Sequence, residues 1–205
     1  MPIFIQAGGP IIWLILIAAA FAIVIVIERV LHCHRAQINS VEFLNGVRNV
    51  LKRDNVVEAI SICDATPGPV ARLVKTAILN RDRGRERVRE AVEEAGLTEV
   101  PQLEERLNLL ATIGQIAPLL GLLGTIVGFI RIFMQLQTDG LYAHIGTLSK
   151  GVWEALICAA AGIAVAIIVH AAYNYLVNRV NKIILDMERA AGEIVNIVTE
   201  NGNGK

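Results

Sequence analysis

Glu154 is the side chain whose surroundings call most directly for chemistry. It stands at the head of an uncharged run, residues 155–178, and the segment before it, residues 141–148, carries no Asp, Glu, Lys or Arg. If a helix begins near residue 141 and ends near residue 177, Glu154 falls about 20 Å along a length of about 54 Å, near the middle of a membrane. An acidic group at that depth costs roughly 3 kcal/mol on insertion scales, and such groups mark ion paths. Desolvation penalises the charged form, which suits the group to take up and release a proton. The plainer alternative makes Glu154 the interfacial residue just before a span over 155–178.

A second run offers a surface to face it. Gly114, Pro118, Gly121, Thr125 and Gly128 follow one another at steps of four, three, four and three, which sets them on one helical stripe. Small residues let helices approach closely, Thr125 adds a hydroxyl to the stripe, and Pro118 frees a backbone carbonyl. Packing alone accounts for each glycine taken singly. A proton relay needs a second titratable group or a gate, and none of the uncharged runs contains an Asp.

The elements that must position these residues are membrane helices. Of the 205 residues, 54% are apolar or aromatic, and three stretches lack charge: the N-terminus through Ile27, residues 107–130 and residues 155–178. Each is long enough to cross a hydrocarbon core of roughly 30 Å as a helix. No basic residue precedes the first run, which continues unbroken from Ile11 to Ile27 and is followed by Arg29, His32, His34 and Arg35. That is not the pattern of a cleaved export signal. Thirteen Lys or Arg lie between residues 28 and 106, two (Arg131 and Lys150) between the second and third runs, and four after residue 178. The positive-inside rule therefore predicts an outer N-terminus and an inner C-terminus. Nineteen basic residues balance nineteen acidic ones, so net charge favours neither nucleic acid nor an acidic substrate.

The expected fold is an all-α membrane protein: three transmembrane helices with long cytoplasmic helical extensions, packed as an oligomeric bundle. Its segments are a periplasmic N-terminus with the first span (1–28), a cytoplasmic helical loop (29–106), the second span (107–136), a short periplasmic connector (137–144), the third span (145–178), and a cytoplasmic C-terminal helix and tail (179–205). In the loop, Asn39 or Ser40 can cap a helix bearing Val41, Leu44, Val47, Val50 and Leu51. Val56, Val57, Ile60 and Ile62 continue an apolar face, and Thr66-Pro67-Gly68-Pro69 breaks the chain before Val70, Leu73, Val74, Ala77 and Ile78. The Arg81 to Arg89 run, interleaved with Asp82, Glu86 and Glu90, reads as a solvated, self-paired face. Thr98 can cap a helix with Pro101 in its first turn, running over residues 99–136 for about 57 Å. Beyond the third span, Leu176, Val180, Ile183, Ile184, Met187, Ala191, Ile194 and Val198 carry the helical period onward. The final residues, 201–205, read as a fraying tail.

Other chemistries find less support. Cys33, Cys63 and Cys158 have no C-x-x-C spacing, and a disulfide framework is not expected. Neighbouring helical residues point about 100° apart, so His32-Cys33-His34 reads as a polar collar and no metal or cofactor is expected. Thr147-Leu148-Ser149-Lys150-Gly151 fails G-x-S-x-G at its first glycine, and the spans lack the paired aspartates of a membrane protease, so an enzyme is not expected. No inverted repeat points to a secondary transporter.

The block Ala117-Pro118-Leu119-Leu120-Gly121-Leu122-Leu123-Gly124-Thr125-Ile126-Val127-Gly128, together with Gly151-Val152-Trp153-Glu154-Ala155-Leu156 and Ala161-Gly162-Ile163-Ala164-Val165-Ala166, resembles the MotA/TolQ/ExbB proton channel family, on its ExbB/TolQ side. The resemblance covers nearly the whole chain. It implies a proton-conducting subunit of a bacterial inner-membrane, energy-transducing motor. That subunit would form a homopentamer around an ExbD- or TolR-like single-span dimer whose membrane Asp completes the path, and would drive a TonB- or TolA-like partner in the envelope. It further implies that Glu154 is the acidic residue of the third span and Thr125 the hydroxyl of the second. The family usually has threonines just after Glu-Ala-Leu, where this chain has Cys158 and Ala159; Cys158, one turn from Glu154, can supply a weak donor. His170, about 24 Å from Glu154 along the helix, reads as an interfacial polar residue more than as a proton exit relay. The alternative to conduction is an oligomeric membrane scaffold in which Glu154 pairs statically.

Overall fold

The computed structural model describes residues 9–36, 38–139 and 145–202. The described elements are helical throughout: α1 (Gly9–Ala36), α2 (Ser40–Leu51), α3 (Val56–Ala65), α4 (Pro69–Leu79), a 3-10 turn (Arg81–Arg83), α5 (Arg85–Glu104), α6 (Leu107–Asp139) and α7 (Ile145–Gly202). Three helical stretches, Pro10–Leu51, Arg85–Thr138 and Ser149–Thr199, contain windows long and apolar enough to cross a membrane. The protein is thus all-α with three candidate membrane spans. The expected outer N-terminal residues 1–8, most of the expected connector (140–144) and the last three residues of the expected tail (203–205) lie outside the described residues.

The chain forms two compact units, and α1 and α7 contribute to both. The first comprises residues 1–28 and 106–175. Here α1 buries Ile12, Ile15, Ala22 and Ile25, which recur at helical spacing, while Trp13, Ile17, Phe21 and Val24 point outward. An outward apolar face on every span is what a lipid or neighbouring-subunit environment requires. The α6 and α7 helices meet along glycines. A Cβ at Gly121 would lie 2.9 Å from the Cys158 carbonyl oxygen, at Gly124 2.6 Å from Cys158 Cβ, at Gly128 2.8 Å from Ala155 Cβ, and at Gly162 2.6 Å from the Ala117 oxygen. The seam therefore exists because these positions lack side chains. At the start of α6, Arg106 adopts φ 65 and its guanidinium donates to the Glu28 carboxylate.

The second unit comprises residues 29–105 and 176–205. Asn39 and Asn55 cap α2 and α3, accepting from the backbone N–H groups of Glu42 at 3.4 Å and Glu58 at 3.2 Å. Gly68, at φ 124, occupies a backbone conformation that L side chains avoid, so the turn before α4 needs it. Val70, Leu73, Val74, Ala77 and Ile78 of α4 are buried, as are Leu44, Val47, Ala59, Cys63, Val88 and Val92 elsewhere in this unit's core. The tail of α7 adds Leu176, Val180, Ile183, Met187, Ile194 and Val198, much as its periodicity predicts, with Ala190 buried where Ala191 was expected. Ion pairs clamp the surface: Arg48 to Glu193 at 2.6 Å, and Arg72 Nε to Glu99 at 2.6 Å with a second, parallel bond. Arg29, 4% exposed, donates to the carbonyls of Gln102 and Glu105 and so closes the C-terminus of α5.

Three local expectations differ from the structure. The helix predicted over 99–136 is broken at Glu105 and Arg106, because α5 already begins at Arg85 and absorbs Pro101 in its interior. Thr98 consequently does not cap; its hydroxyl donates to the Glu94 carbonyl at 3.2 Å. On α3 the buried face is Ala59 and Cys63, while Val57 is 80% exposed. The Arg81–Arg89 run is self-paired only in part: Arg87 meets Glu90 at 2.7 Å and Arg89 meets Glu93 at 2.8 Å, while Arg81 reaches Asp54 at 3.2 Å and Arg85 reaches Asn196 at 3.1 Å.

Candidate functional site

The site lies wholly within the first unit, where α6 and α7 approach near the start of α1. Glu154 is half-buried and lines a cavity of about 20 Å³ with Pro10, Ile11, Gly124, Gly128, Arg131, Ala155 and Cys158. Glycines at 124 and 128 open the cavity on the α6 side, since any side chain there would fill it. The volume suffices for about one water molecule. Its polar lining is a carboxylate, a guanidinium and a thiol.

The contacts of α7 on α6 also fix the level of Glu154. Ala155 meets Gly128, Cys158 meets Gly121 and Gly124, Gly162 meets Ala117, and the His170 ring lies 3.1 Å from where a Cβ on Gly114 would be. In that register Glu154 stands beside Arg131, just past the end of the uncharged run of α6, rather than at its middle. The expectation of a central position depended on a helix starting near residue 141, and residues 141–144 lie outside those described. The neighbours favour the interfacial alternative for its depth.

The expected site residues divide accordingly. Glu154, Cys158 and Gly128 come together at the cavity, and Gly114 and Gly121 lie on the same seam. Thr125 does not line the cavity; it is half-buried and its hydroxyl donates to the Leu122 carbonyl at 2.6 Å. Pro118 sits at the edge of the seam, half-exposed, and the buried position beside it is Ala117. Two participants escaped the sequence reading. Gly124 belongs to the contacting face, and Arg131, counted only as a connector charge, lines the cavity. The signal for Arg131 was available, since it follows Gly128 by three and Gly124 by seven.

Elsewhere, the buried thiol of Cys63 is pushed up to about 11 by desolvation, with Asp64 adding and Lys75 opposing. Burial likewise raises Cys33, against the fields of Arg29 and Arg179. His32 and His34 flank Cys33 with exposed side chains, and among the described residues no three His, Cys, Asp or Glu side chains converge to hold a metal.

A sequence model of the MotA/TolQ/ExbB proton channel family matches residues 65–189. The chain is 27% identical over 177 residues to a biopolymer transport protein ExbB homolog of Methanothermobacter thermautotrophicus, covering 86% of this chain and 62% of that protein. It is 36% identical over 107 residues to the Tol-Pal system protein TolQ of Haemophilus influenzae, covering 52% of this chain and 46% of that one. Against the biopolymer transport protein ExbB of Neisseria gonorrhoeae the identity is 26% over 208 residues, with 92% of each covered. The chain thus spans under two thirds of the length of the first two relatives.

Proposed function

The chain belongs to the MotA/TolQ/ExbB proton channel family, and from that premise we propose that it is the proton-handling subunit of an energy-transducing membrane complex, with Glu154 as its proton-accepting group. The observation that carries this reading is the cavity in which Glu154 meets Arg131 and Cys158, flanked by two glycines. The positive-inside count supports a reading in which the Pro10 end of α1, and with it the cavity, faces the outer side of a bacterial inner membrane, where protons arrive.

On this reading protons do not continue inward between α6 and α7 of one protomer. Below the cavity the seam is tightly packed, since a Cβ at Gly162 would lie 2.6 Å from the Ala117 oxygen and one at Gly121 2.9 Å from the Cys158 oxygen. A path must therefore use the other faces of these helices, lined by further copies or by a partner. This supports an oligomer enclosing a single-span, ExbD- or TolR-like dimer that supplies a membrane carboxylate, and through it work on a TonB- or TolA-like protein. Each proton falling through 100 mV releases about 2.3 kcal/mol, and each pH unit adds about 1.4 kcal/mol, so several protons serve one mechanical step. Nothing in this chemistry involves covalent catalysis, and the chain is not an enzyme on this reading.

The closed seam also favours a second reading, an oligomeric scaffold in which Glu154 pairs statically and no proton moves. A chromosomal Glu154→Gln variant separates the two. The expected result is a variant present at normal level and normal oligomer size that behaves like a deletion of the gene in proton-driven envelope work. Full function in that variant would leave the scaffold.

A further inference from the structure

Two exposed polar side chains interrupt the apolar outer surface of the spans, Gln115 on α6 and His170 on α7. Gln115 lies eight residues into the uncharged run 107–130 and His170 eight residues before the end of the run 155–178, each about 12 Å from that end along its helix. The register agrees, because the His170 ring lies 3.1 Å from where a Cβ on Gly114 would be. Among the described residues neither side chain makes a hydrogen bond. They share a side as well as a level. Gln115 comes nine residues before Gly124, where a Cβ would lie 3.4 Å from Ile11 of α1, and nine residues at about 100° each end half a turn away. Ile168 and Ala172, two residues to either side of His170, line an apolar groove with Ile23 and Ile27 of α1, so His170 also points away from α1. Elsewhere at that level the outward side chains are apolar, Ile23 and Ile27 on α1, Ile116 on α6 and Ile167 on α7. Toward the end of the spans Asn108 and Thr112 extend the stripe of Gln115 at steps of four and three, Asn174 follows His170 by four, and all three are exposed.

We propose that Gln115 and His170 line an aqueous vestibule on the face of α6 and α7 turned from α1, open at the Asn108 and Asn174 end and reaching about 12 Å into the spans. This deepens the function proposed above and rests on it, since it names the face of these helices along which water enters. Lipid does not suit that face, because an amide and an imidazole in hydrocarbon forfeit their bonds to water with no replacement. A second copy at the same height offers apolar side chains everywhere but on this same face, so contact with its other sides leaves both groups unsatisfied. Polar residues within spans face a bundle interior or a water-filled cavity. Gln115 and His170 each donate and accept, so both can join a hydrogen-bonded chain to bulk water. The positive-inside count makes this the inner end, the side on which protons are released. Between Glu154 and His170, about 24 Å along α7, no side chain but that of Cys158 is other than apolar, and this is the gap a partner has to bridge.

The test is cysteine labelling by a charged, membrane-impermeant methanethiosulfonate added to sealed native-membrane vesicles of either orientation. Gln115→Cys and His170→Cys are expected to react, from the side that carries the C-terminus, at least about tenfold faster than Ile23→Cys and Ile116→Cys at the same level. The chain's own Cys33, Cys63 and Cys158 are buried and set the background. Rates no faster than those of the isoleucine positions would overturn the proposal, whether lipid or a neighbouring copy covers the face, as would reaction from the opposite side only. Should either variant fail to assemble, Thr112→Cys and Asn174→Cys carry the same comparison. Proton-driven envelope work in a Glu154→Gln strain is scored in parallel. Work surviving there refutes the proposed function, whereas work lost there with Gln115→Cys and His170→Cys unreactive refutes only the vestibule.

Discussion

A carboxylate, a guanidinium and a thiol around a one-water cavity form the smallest unit on which this account depends. The carboxylate was plain in the sequence, because a lone acid among apolar residues is conspicuous. The guanidinium was not, because a charge at the end of a span is ordinarily read for topology, and only the packing of α6 on α7 shows which way it faces. Thr125 illustrates the opposite case: its spacing puts it near the seam, yet its hydroxyl is spent on the Leu122 carbonyl. Replacing Cys158 by Ser should preserve proton flux within about twofold, and by Val reduce it about tenfold or more, since only Val closes the cavity to water. Equal flux in both variants would remove Cys158 from the water site. Away from the membrane, Cys63 provides a pH check. Its thiol is raised from 9.0 to about 11, so its thiolate at pH 8 is about a hundredfold scarcer than in the unfolded chain. The folded form binds the proton more tightly, so this group's contribution to stability is intact below pH 9 and is lost as pH rises through about 9 to 11. Iodoacetamide labelling of Cys63 should accordingly be slow at pH 8 in the folded protein and rise steeply toward pH 11; fast labelling at pH 8 would contradict the burial.

Helices are held together here by what their sequences omit. On α7, a Cβ at Gly162 would lie 2.6 Å from the Ala117 oxygen, whereas Gly192 has nothing within 4 Å of where a Cβ would stand. Gly162→Ala should therefore destabilise by about 1–3 kcal/mol through overpacking. Gly192→Ala should stabilise by about 0.5–1 kcal/mol through helix propensity. Thermal unfolding of the two variants in one detergent checks the signs, and a harmless Gly162→Ala would mean the seam is looser than described. The helices themselves were legible wherever an apolar period runs long, as along α7 from Leu176 to Val198. The break between α5 and α6 was not, because Pro101 looks like a first-turn residue until Arg85 to Val100 are seen to be helical already. What places that break is long-range: the bonds of Arg29 to the Gln102 and Glu105 carbonyls, and of Arg106 to Glu28. No local signal announces those partners.

For the whole molecule, three features bear on assembly: outward apolar faces on every span, exposed Val41, Val57 and Leu97 on the second unit, and a closed seam within the first. Lipid or further copies can cover such faces, and on the proposed reading mass measurement in mild detergent should give a homo-oligomer of five copies; a monodisperse monomer would count against it. On the proposed orientation, a cysteine probe after residue 178 should label only from the cytoplasmic side, and labelling from the outer side would reverse it. The central claim is that Glu154 carries protons through an assembly that needs a partner, and it is tested most directly by proton flux into liposomes under an imposed potential, using the chain purified with its single-span partner. Wild-type complexes should conduct, the chain alone should not, and intact Glu154→Gln complexes should lose at least tenfold in flux. Equal flux from wild-type and Glu154→Gln complexes of the same size would contradict the account.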